Sequence, residues 1–172
     1  MRPQDIVILL KIFSLGEIEW LNKDLSKSLF ISQSEISESL SRSVYAGLIG
    51  KDKKTIHKSA LFGLLVYGLR YIFPAQAGTL AKGIPTAASA PILRDDFPNI
   101  QTLVWPDPKM ETRGLLIEPL YPKLIEAVKL DPILYDLLAL VDTFRVGNEK
   151  EIARAKTLLA NIFEQGEDYI SC

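Results

Sequence analysis

Residues 33 to 45 combine side chains whose types and spacing suit hydrogen bonding to the edges of nucleic-acid bases. In the stretch SQSEISESLSRSVY, which begins at residue 32, Ile36, Leu40 and Val44 stand four residues apart and mark the apolar face of a helix. The opposite face of that helix carries Ser34, Glu35, Glu38, Ser41, Arg42 and Tyr45. Serine, glutamate and arginine supply donors and acceptors that match base edges in the major groove of DNA. This face therefore predicts a base-contacting surface.

Local signals predict where this helix begins and ends. Ser32 suits the N-cap, because its hydroxyl can accept a hydrogen bond from a backbone N–H of the first turn. Glu35, three residues later, completes the pattern of a capping box. We predict a helix from Gln33 to about Gly47.

Two further helices precede it and could hold it in position. Pro3 opens the first, whose apolar side chains repeat every three to four residues until Gly16 ends it. The second is predicted over residues 17–29, EIEWLNKDLSKSL, with an apolar stripe at Leu21, Leu25 and Leu29. A turn of two residues then leads to the third helix, as in pairs of short helices that pack at a fixed angle.

The first third of the chain resembles the bacterial winged helix-turn-helix regulators of the MarR-like kind. The stretch LSKSLFISQSEISESL places apolar side chains at the packing positions of that family, namely Leu25, Leu29, Ile31, Ile36 and Leu40. Ser32 and Ser37 occupy its favoured small polar positions, and Phe30 stands where glycine is common in the turn. The following YAGLIGKDKKTI resembles the end of a recognition helix, a short strand and a very short wing. The resemblance implies a DNA-binding transcriptional regulator that acts as a homodimer.

We predict that the contacts with double-stranded DNA come from the third helix and from the lysines after it. Ser34, Glu38, Ser41 and Arg42 suit base or phosphate contact, whereas Ser32 and Gln33 suit a phosphate at the positive end of the helix. The predicted DNA-binding residues are Ser32, Gln33, Ser34, Ser37, Glu38, Ser41, Arg42, Lys51, Lys53 and Lys54.

Charge permits this function without requiring it. Residues 1–58 hold nine Lys and Arg against seven Asp and Glu, and residues 59–172 hold eleven against fourteen. The basic excess is small for a nucleic-acid-binding domain, and Glu35 and Glu38 would repel phosphates. A protein-interaction module, such as an antitoxin-like or adaptor partner of a neighbouring gene product, is the alternative that these acidic residues favour.

We predict two domains. A winged helix-turn-helix domain over residues 1–58 is followed by a helical companion domain over residues 59–172. The stretch SALFGLLVYGLRYIF predicts a helix that is apolar nearly all round and therefore buried. Residues 74–122 contain eight of the ten prolines, and we interpret them as an ordered, extended arm with TLVW as a short strand. This arm would pack on the helices or on a second subunit.

Two helices are predicted at the C-terminal end. Asp131 followed by Pro132 opens one helix, which Gly147 ends. Asn148 and Glu151 form a capping-box pattern before the last helix. These helices suit either a dimer contact or a cover for the chain's own core. The fold class expected overall is mainly α.

Residues for catalysis and metal binding are sparse. His57 is the only histidine and Cys172 the only cysteine. A catalytic site in which a histidine activates a serine or cysteine nucleophile would therefore have to use His57. GTLAKGIPT, residues 78–86, has Ile84 and Pro85 where a phosphate-binding loop needs a lysine and a backbone N–H. We predict no enzymatic activity, no metal site and no cofactor. The absence of a long apolar segment and of a signal-peptide pattern predicts a cytoplasmic protein without a membrane partner.

Overall fold

The computed structural model describes residues 1–164, so that Cys172 lies outside the described part of the chain. The fold is mainly helical, as the sequence predicts, with one small sheet. The helices are α1 (Pro3–Leu15), α2 (Asn22–Leu29), α3 (Gln33–Tyr45), α4 (Lys58–Gly63), α5 (Leu69–Ile72), α6 (Pro91–Arg94), α7 (Leu124–Leu130), α8 (Pro132–Val146) and α9 (Glu149–Glu164). The strands are β1 (Leu80–Pro85), β2 (Leu103–Pro106) and β3 (Arg113–Leu116). Within residues 1–164, no helix combines the length and apolar character needed to cross a membrane.

Helix α8 lies at the centre of the fold. Its first turn is capped as predicted, because the Asp131 carboxylate accepts a hydrogen bond from the Leu134 backbone N–H at 2.9 Å. Helices α1, α5, α7 and α9 pack around it. Its side chains at Leu134, Leu137, Leu138, Ala139, Leu140 and Val141 are at most 1% exposed. Of the two roles left open for the C-terminal helices, α8 therefore has the role of covering the chain's own core.

Helix α9 begins at the predicted cap. The Asn148 side chain accepts hydrogen bonds from the backbone N–H groups of Lys150 and Glu151, at 3.0 and 3.1 Å. The Glu151 carboxylate in turn accepts one from the Asn148 backbone N–H at 3.0 Å, which completes the capping box. Leu159 and Ile162 are buried, so α9 closes one side of the core.

The predicted start of the second helix is wrong. Helix α2 begins at Asn22, because the Asp24 carboxylate accepts the Leu21 backbone N–H at 2.9 Å and fixes the N-terminus there. Leu21 is 57% exposed and does not belong to the apolar stripe, whereas Leu25 and Leu29 are fully buried.

The helix after His57, predicted to be buried because it is apolar nearly all round, is buried on one side alone. The chain runs through α4, a π-helical turn (Leu64–Gly68) and α5. Only one side is buried, since Tyr67 is 61% and Tyr71 79% exposed.

Residues 74–122 contain more regular structure than an extended arm. The strand predicted at TLVW is present as β2, but β1 and β3 were not predicted. β1 pairs antiparallel with β2 through Gly83–Pro85 and antiparallel with β3 through Leu80–Lys82. β2 and β3 pair in parallel, and this pairing closes the sheet on itself. The strands approach so closely at Gly83 that a Cβ there would overlap the Trp105 carbonyl oxygen.

A buried polar cluster attaches this sheet to α8. Asp142, 1% exposed, accepts hydrogen bonds from the Trp105 indole at 2.7 Å, the Thr86 hydroxyl at 2.9 Å and the Arg145 guanidinium at 2.7 Å. Arg145 also donates to the Phe73 carbonyl oxygen at 2.9 Å. The cluster therefore joins α8 to the end of β1, to β2 and to the end of α5.

Tyr121 ties α2 to the segment before α7. Its hydroxyl, buried, donates to the Leu29 carbonyl oxygen at 2.8 Å, a group at the end of α2 that lacks a partner within the helix. Tyr121→Phe leaves that carbonyl unpaired, and we expect a loss of about 1–2 kcal/mol in unfolding free energy, measured by urea titration. Tyr45→Phe removes a hydroxyl from a side chain that is 96% exposed and serves as the control with an unchanged midpoint. An unchanged midpoint for Tyr121→Phe would show that this bond does not stabilise the fold.

Candidate nucleic-acid interface

Helix α3 exposes part of the polar face that the sequence predicts. Its inner side chains Ile36 and Leu40 are at most 2% exposed and pack into the core. The solvent-facing side chains are Gln33, Ser34, Ser37, Glu38, Ser41 and Tyr45. Ser32 caps the helix, since its hydroxyl accepts the Glu35 backbone N–H at 3.3 Å. The helix therefore presents hydroxyl and carboxylate groups along its exposed side.

The connection from α2 to α3 is short and includes an unusual conformation at Phe30. This residue adopts φ 56° and ψ 37°, the left-handed region, and its backbone N–H donates to the Ser26 carbonyl oxygen at the end of α2. Glycine is favoured in this region because it has no Cβ. The turn thus keeps a glycine-type conformation with a phenylalanine that is 48% exposed.

Arg42 is held by carboxylates inside the protein. Its Nε and Nη2 donate to the two oxygens of Asp5 at 3.0 and 2.7 Å, and Nη2 also contacts Glu35 Oε1 at 2.5 Å. Asp5 is fully buried, while the Arg42 side chain is 25% exposed. Arg42 is therefore engaged in joining α3 to α1, and the structure does not present it as a free cation on the α3 surface.

Glu35 belongs to the same cluster. Its second oxygen accepts a hydrogen bond from Arg2 Nη1 at 2.8 Å, so its carboxylate points to two arginines. The predicted capping-box hydrogen bond from the Ser32 backbone N–H to Glu35 is therefore absent. The Arg42 hydrogen bond is the main cause that lowers the pKa of Glu35. Burial raises the pKa of Asp5, but hydrogen bonds from Arg42 and from the Arg2 backbone outweigh it, and the net pKa shift is downward. Both carboxylates are therefore ionised near neutral pH.

A tight hairpin lies beside α3. Ile49 and Ile56 form an antiparallel bridge, and within the turn the Asp52 carboxylate accepts hydrogen bonds from the Lys54 and Thr55 backbone N–H groups at 3.0 and 3.1 Å. The Thr55 hydroxyl, followed by these two N–H groups, lowers the pKa of Asp52 to about 2. Lys53, in the left-handed region at φ 58°, donates from Nζ to the Ser41 hydroxyl at 3.0 Å.

A groove of about 480 Å³ separates α2, the start of α3 and the hairpin. Its charged lining consists of Lys23, Lys53 and Lys54 together with Asp52, and Gln33 lies at its α3 edge. Lys51 is exposed on the same hairpin. Lys23 is not among the predicted DNA-binding residues, because residues 17–29 were predicted to form one continuous helix. The Asp24 carboxylate, which fixes the start of α2, is the signal that places Lys23 in the first turn of that helix.

No protein-family model, curated protein or solved structure matches this chain.

Proposed function

We propose that this chain is a DNA-binding transcriptional regulator of the winged helix-turn-helix kind, with α3 in the major groove and the 49–56 hairpin as a minimal wing. The observation that carries the proposal is the hydrogen bond from Lys53 Nζ to the Ser41 hydroxyl. It places a cation of the hairpin directly against the polar face of α3. One continuous surface thus combines hydroxyl and carboxylate groups for bases with lysines for phosphates.

The length of α3 indicates which of its residues reach the bases. Thirteen residues span about 20 Å, whereas the major groove is about 12 Å wide. Only part of the helix therefore fits between the two backbones. We assign base contacts to Ser34, Ser37, Glu38 and Ser41, with Glu38 as an acceptor for a cytosine amine.

Phosphate contacts come from the start of this helix and from the groove beside it. Ser32 and Gln33 lie at the positive N-terminus of the helix, which suits an anion. Lys23, Lys53 and Lys54 line the adjoining groove, and Lys51 is exposed on the hairpin. We leave Arg42 out of the contact set, because Asp5 and Glu35 already neutralise it, and assign it the role of holding α3 in position.

The proposal includes a homodimer and a companion domain. Two copies would place their α3 helices in successive major grooves, about 34 Å apart. Residues 59–172, with their proline-rich segment, would form the domain that carries the contact between the copies or with an effector.

The phosphate assignment predicts a change in the salt dependence of DNA binding. Lys53→Ala and Lys54→Ala should each reduce the slope of log affinity against log salt by about 1, as expected when one phosphate contact is lost. Fluorescence anisotropy of a labelled duplex from upstream of the protein's own gene, over a range of salt concentrations, measures the slope. Lys150→Ala removes the same charge from α9 and is the matched control. Equal slopes for all three variants would contradict the assignment.

The acidic content of the α3 surface favours a second candidate, the protein-interaction module. Glu38 is 63% exposed at the centre of the face and lies 3.6 Å from Arg42 Nη1, and Arg42 also pairs with Asp5 and Glu35. A partner with basic side chains would suit such a surface. A stable complex with the product of a neighbouring gene, together with equal weak binding to all duplexes, would support this candidate over the first.

A further inference from the structure

Asp52 is an acidic residue in the groove to which we assign phosphates. It lines that groove together with Lys23, Lys53 and Lys54, and it is exposed to solvent. The Thr55 hydroxyl and two backbone N–H groups lower the pKa of Asp52 to about 2, so the carboxylate is ionised near neutral pH. A negative charge at this place repels phosphates. Any favourable role of Asp52 in DNA binding must therefore act through another residue.

The Asp52 carboxylate holds the turn of the 49–56 hairpin together. Its Oδ1 accepts the backbone N–H groups of Lys54 and Thr55 at 3.0 and 3.1 Å, and its Oδ2 accepts the Thr55 hydroxyl at 2.5 Å. Lys53 lies between these contacts, and its own backbone N–H donates to the Gly50 carbonyl oxygen at 2.9 Å. The backbone on both sides of Lys53 is thereby fixed.

Lys53 has a backbone conformation that lysine rarely adopts. Its φ of 58° lies in the left-handed region, where a residue with a Cβ is disfavoured and glycine is the usual occupant. Such a conformation persists only where the surrounding contacts impose it. The hydrogen bonds from Asp52 to the two following residues are contacts of this kind. We therefore expect Lys53 to leave this conformation when the carboxylate is removed.

The imposed conformation directs two cations toward the proposed DNA surface. Lys53 is half-buried, and its Nζ donates to the Ser41 hydroxyl of α3 at 3.0 Å. Lys54, the next residue, lines the groove. A cation that is already in place loses less side-chain entropy when it meets a phosphate. The turn thus prepares both lysines for contact.

We infer that Asp52 is a positioning residue, which strengthens binding to the DNA backbone by holding Lys53 and Lys54 in place, although its own charge opposes that binding. The inference rests on the proposed function and adds to it a residue that contacts no DNA itself. Two effects of opposite sign follow from this one side chain. Loss of its charge should strengthen binding, whereas loss of its hydrogen-bond acceptors should weaken binding.

The variants Asp52→Asn and Asp52→Ala separate the two effects. Both remove the negative charge, but the asparagine amide oxygen can still accept the backbone N–H groups of Lys54 and Thr55. Fluorescence anisotropy of a labelled duplex at low salt measures the affinity, because phosphate contacts contribute to the binding of any sequence. Asp52→Asn should bind at least as tightly as wild type. Asp52→Ala should bind about tenfold more weakly than Asp52→Asn, since two lysine side chains then have to be ordered on binding.

Gly50→Ala tests the same contact while the charge is retained. A Cβ at Gly50 would lie 2.8 Å from Asp52 Oδ1, so the carboxylate would have to move away from its N–H donors. This variant should therefore weaken binding as Asp52→Ala does. Circular dichroism verifies that each variant is folded.

The position of Lys53 is measured independently in the free protein. Nuclear magnetic resonance should detect the contact between the Lys53 and Ser41 side chains in wild type and in Asp52→Asn, and its loss in Asp52→Ala. Absence of the contact from wild type, its retention in Asp52→Ala, or equal affinities of the two Asp52 variants would each overturn the inference. If wild type binds no duplex, the proposed function fails, whereas loss of the contact in Asp52→Ala still supports Asp52 as the residue that positions Lys53.

Discussion

Arg42→Ala is expected to lower the unfolding free energy by about 3–5 kcal/mol, because it leaves a buried carboxylate without its cation. Asp5 is fully buried and loses both guanidinium hydrogen bonds in this variant. The remaining donor is chiefly the Arg2 backbone N–H at 2.7 Å. A loss of this size is a large part of the stability of a typical domain. Urea denaturation followed by circular dichroism measures it.

The reverse change should cost less. Asp5→Ala leaves Arg42 with Glu35 and with partial exposure to water, so its charge stays solvated. Arg154→Ala is the matched control, since Arg154 pairs with Asp96 at the surface at 2.9 Å and such pairs contribute about 0–1 kcal/mol. If Arg42→Ala and Arg154→Ala unfold at the same urea concentration, the Arg42 cluster is not what fixes α3 on α1.

The pH dependence of stability follows from the same cluster. Because the folded-state pKa of Asp5 is lowered from its ordinary 3.8, its stabilising effect is complete above that pH and is lost as the pH falls further. Arg42→Ala should therefore show a weaker dependence on pH in the acidic range than wild type does.

Asp142→Ala is the second change with a large expected effect, again about 3–5 kcal/mol, because it strands a buried guanidinium. Arg145 is 8% exposed, and its ion pair with Asp142 is lost in this variant. The indole N–H of Trp105 and the hydroxyl of Thr86 lose their acceptor at the same time. We expect the sheet to separate from α8 at a lower urea concentration, seen as a change in tryptophan fluorescence.

Asp96→Ala removes a carboxylate from the surface ion pair with Arg154 and is the control for this prediction. It should shift the midpoint little. A midpoint for Asp142→Ala equal to that for Asp96→Ala would show that the cluster adds nothing to the fold.

Burial raises the pKa of Asp142 in the folded protein. In contrast to Asp5, this group therefore makes the wild-type protein less stable as the pH rises from the ordinary carboxyl pKa to the raised one.

The features predicted correctly from the sequence are those set by neighbouring residues. Ser32, Asp131 and Asn148 were identified as caps because the cap and its backbone donor lie within three residues of each other. The recurrence of apolar side chains every three to four residues likewise predicted α3 and α8.

The features that sequence reasoning missed depend on contacts between distant parts of the chain. Strand β1 is short, ends at Pro85 and exists through pairing with β2 and β3, which lie about twenty or more residues later. Glu35 could either complete the capping box of α3 or form an ion pair with Arg2, which is distant in the sequence. Its additional ion pair with Arg42 favoured the contact with the arginines. The same ion pairs remove Arg42 from the exposed surface, which no pattern near residue 42 indicates.

The most direct test of the proposed function is selection of binding sequences from a randomised duplex library by the purified full-length protein. We expect enrichment of a defined motif, and a Ser34→Ala, Ser41→Ala double variant should select an altered or weaker motif while its fold is unchanged. Recovery of unenriched sequences by wild type, with binding that disappears as salt rises, would contradict the assignment of α3 as the base-contacting element.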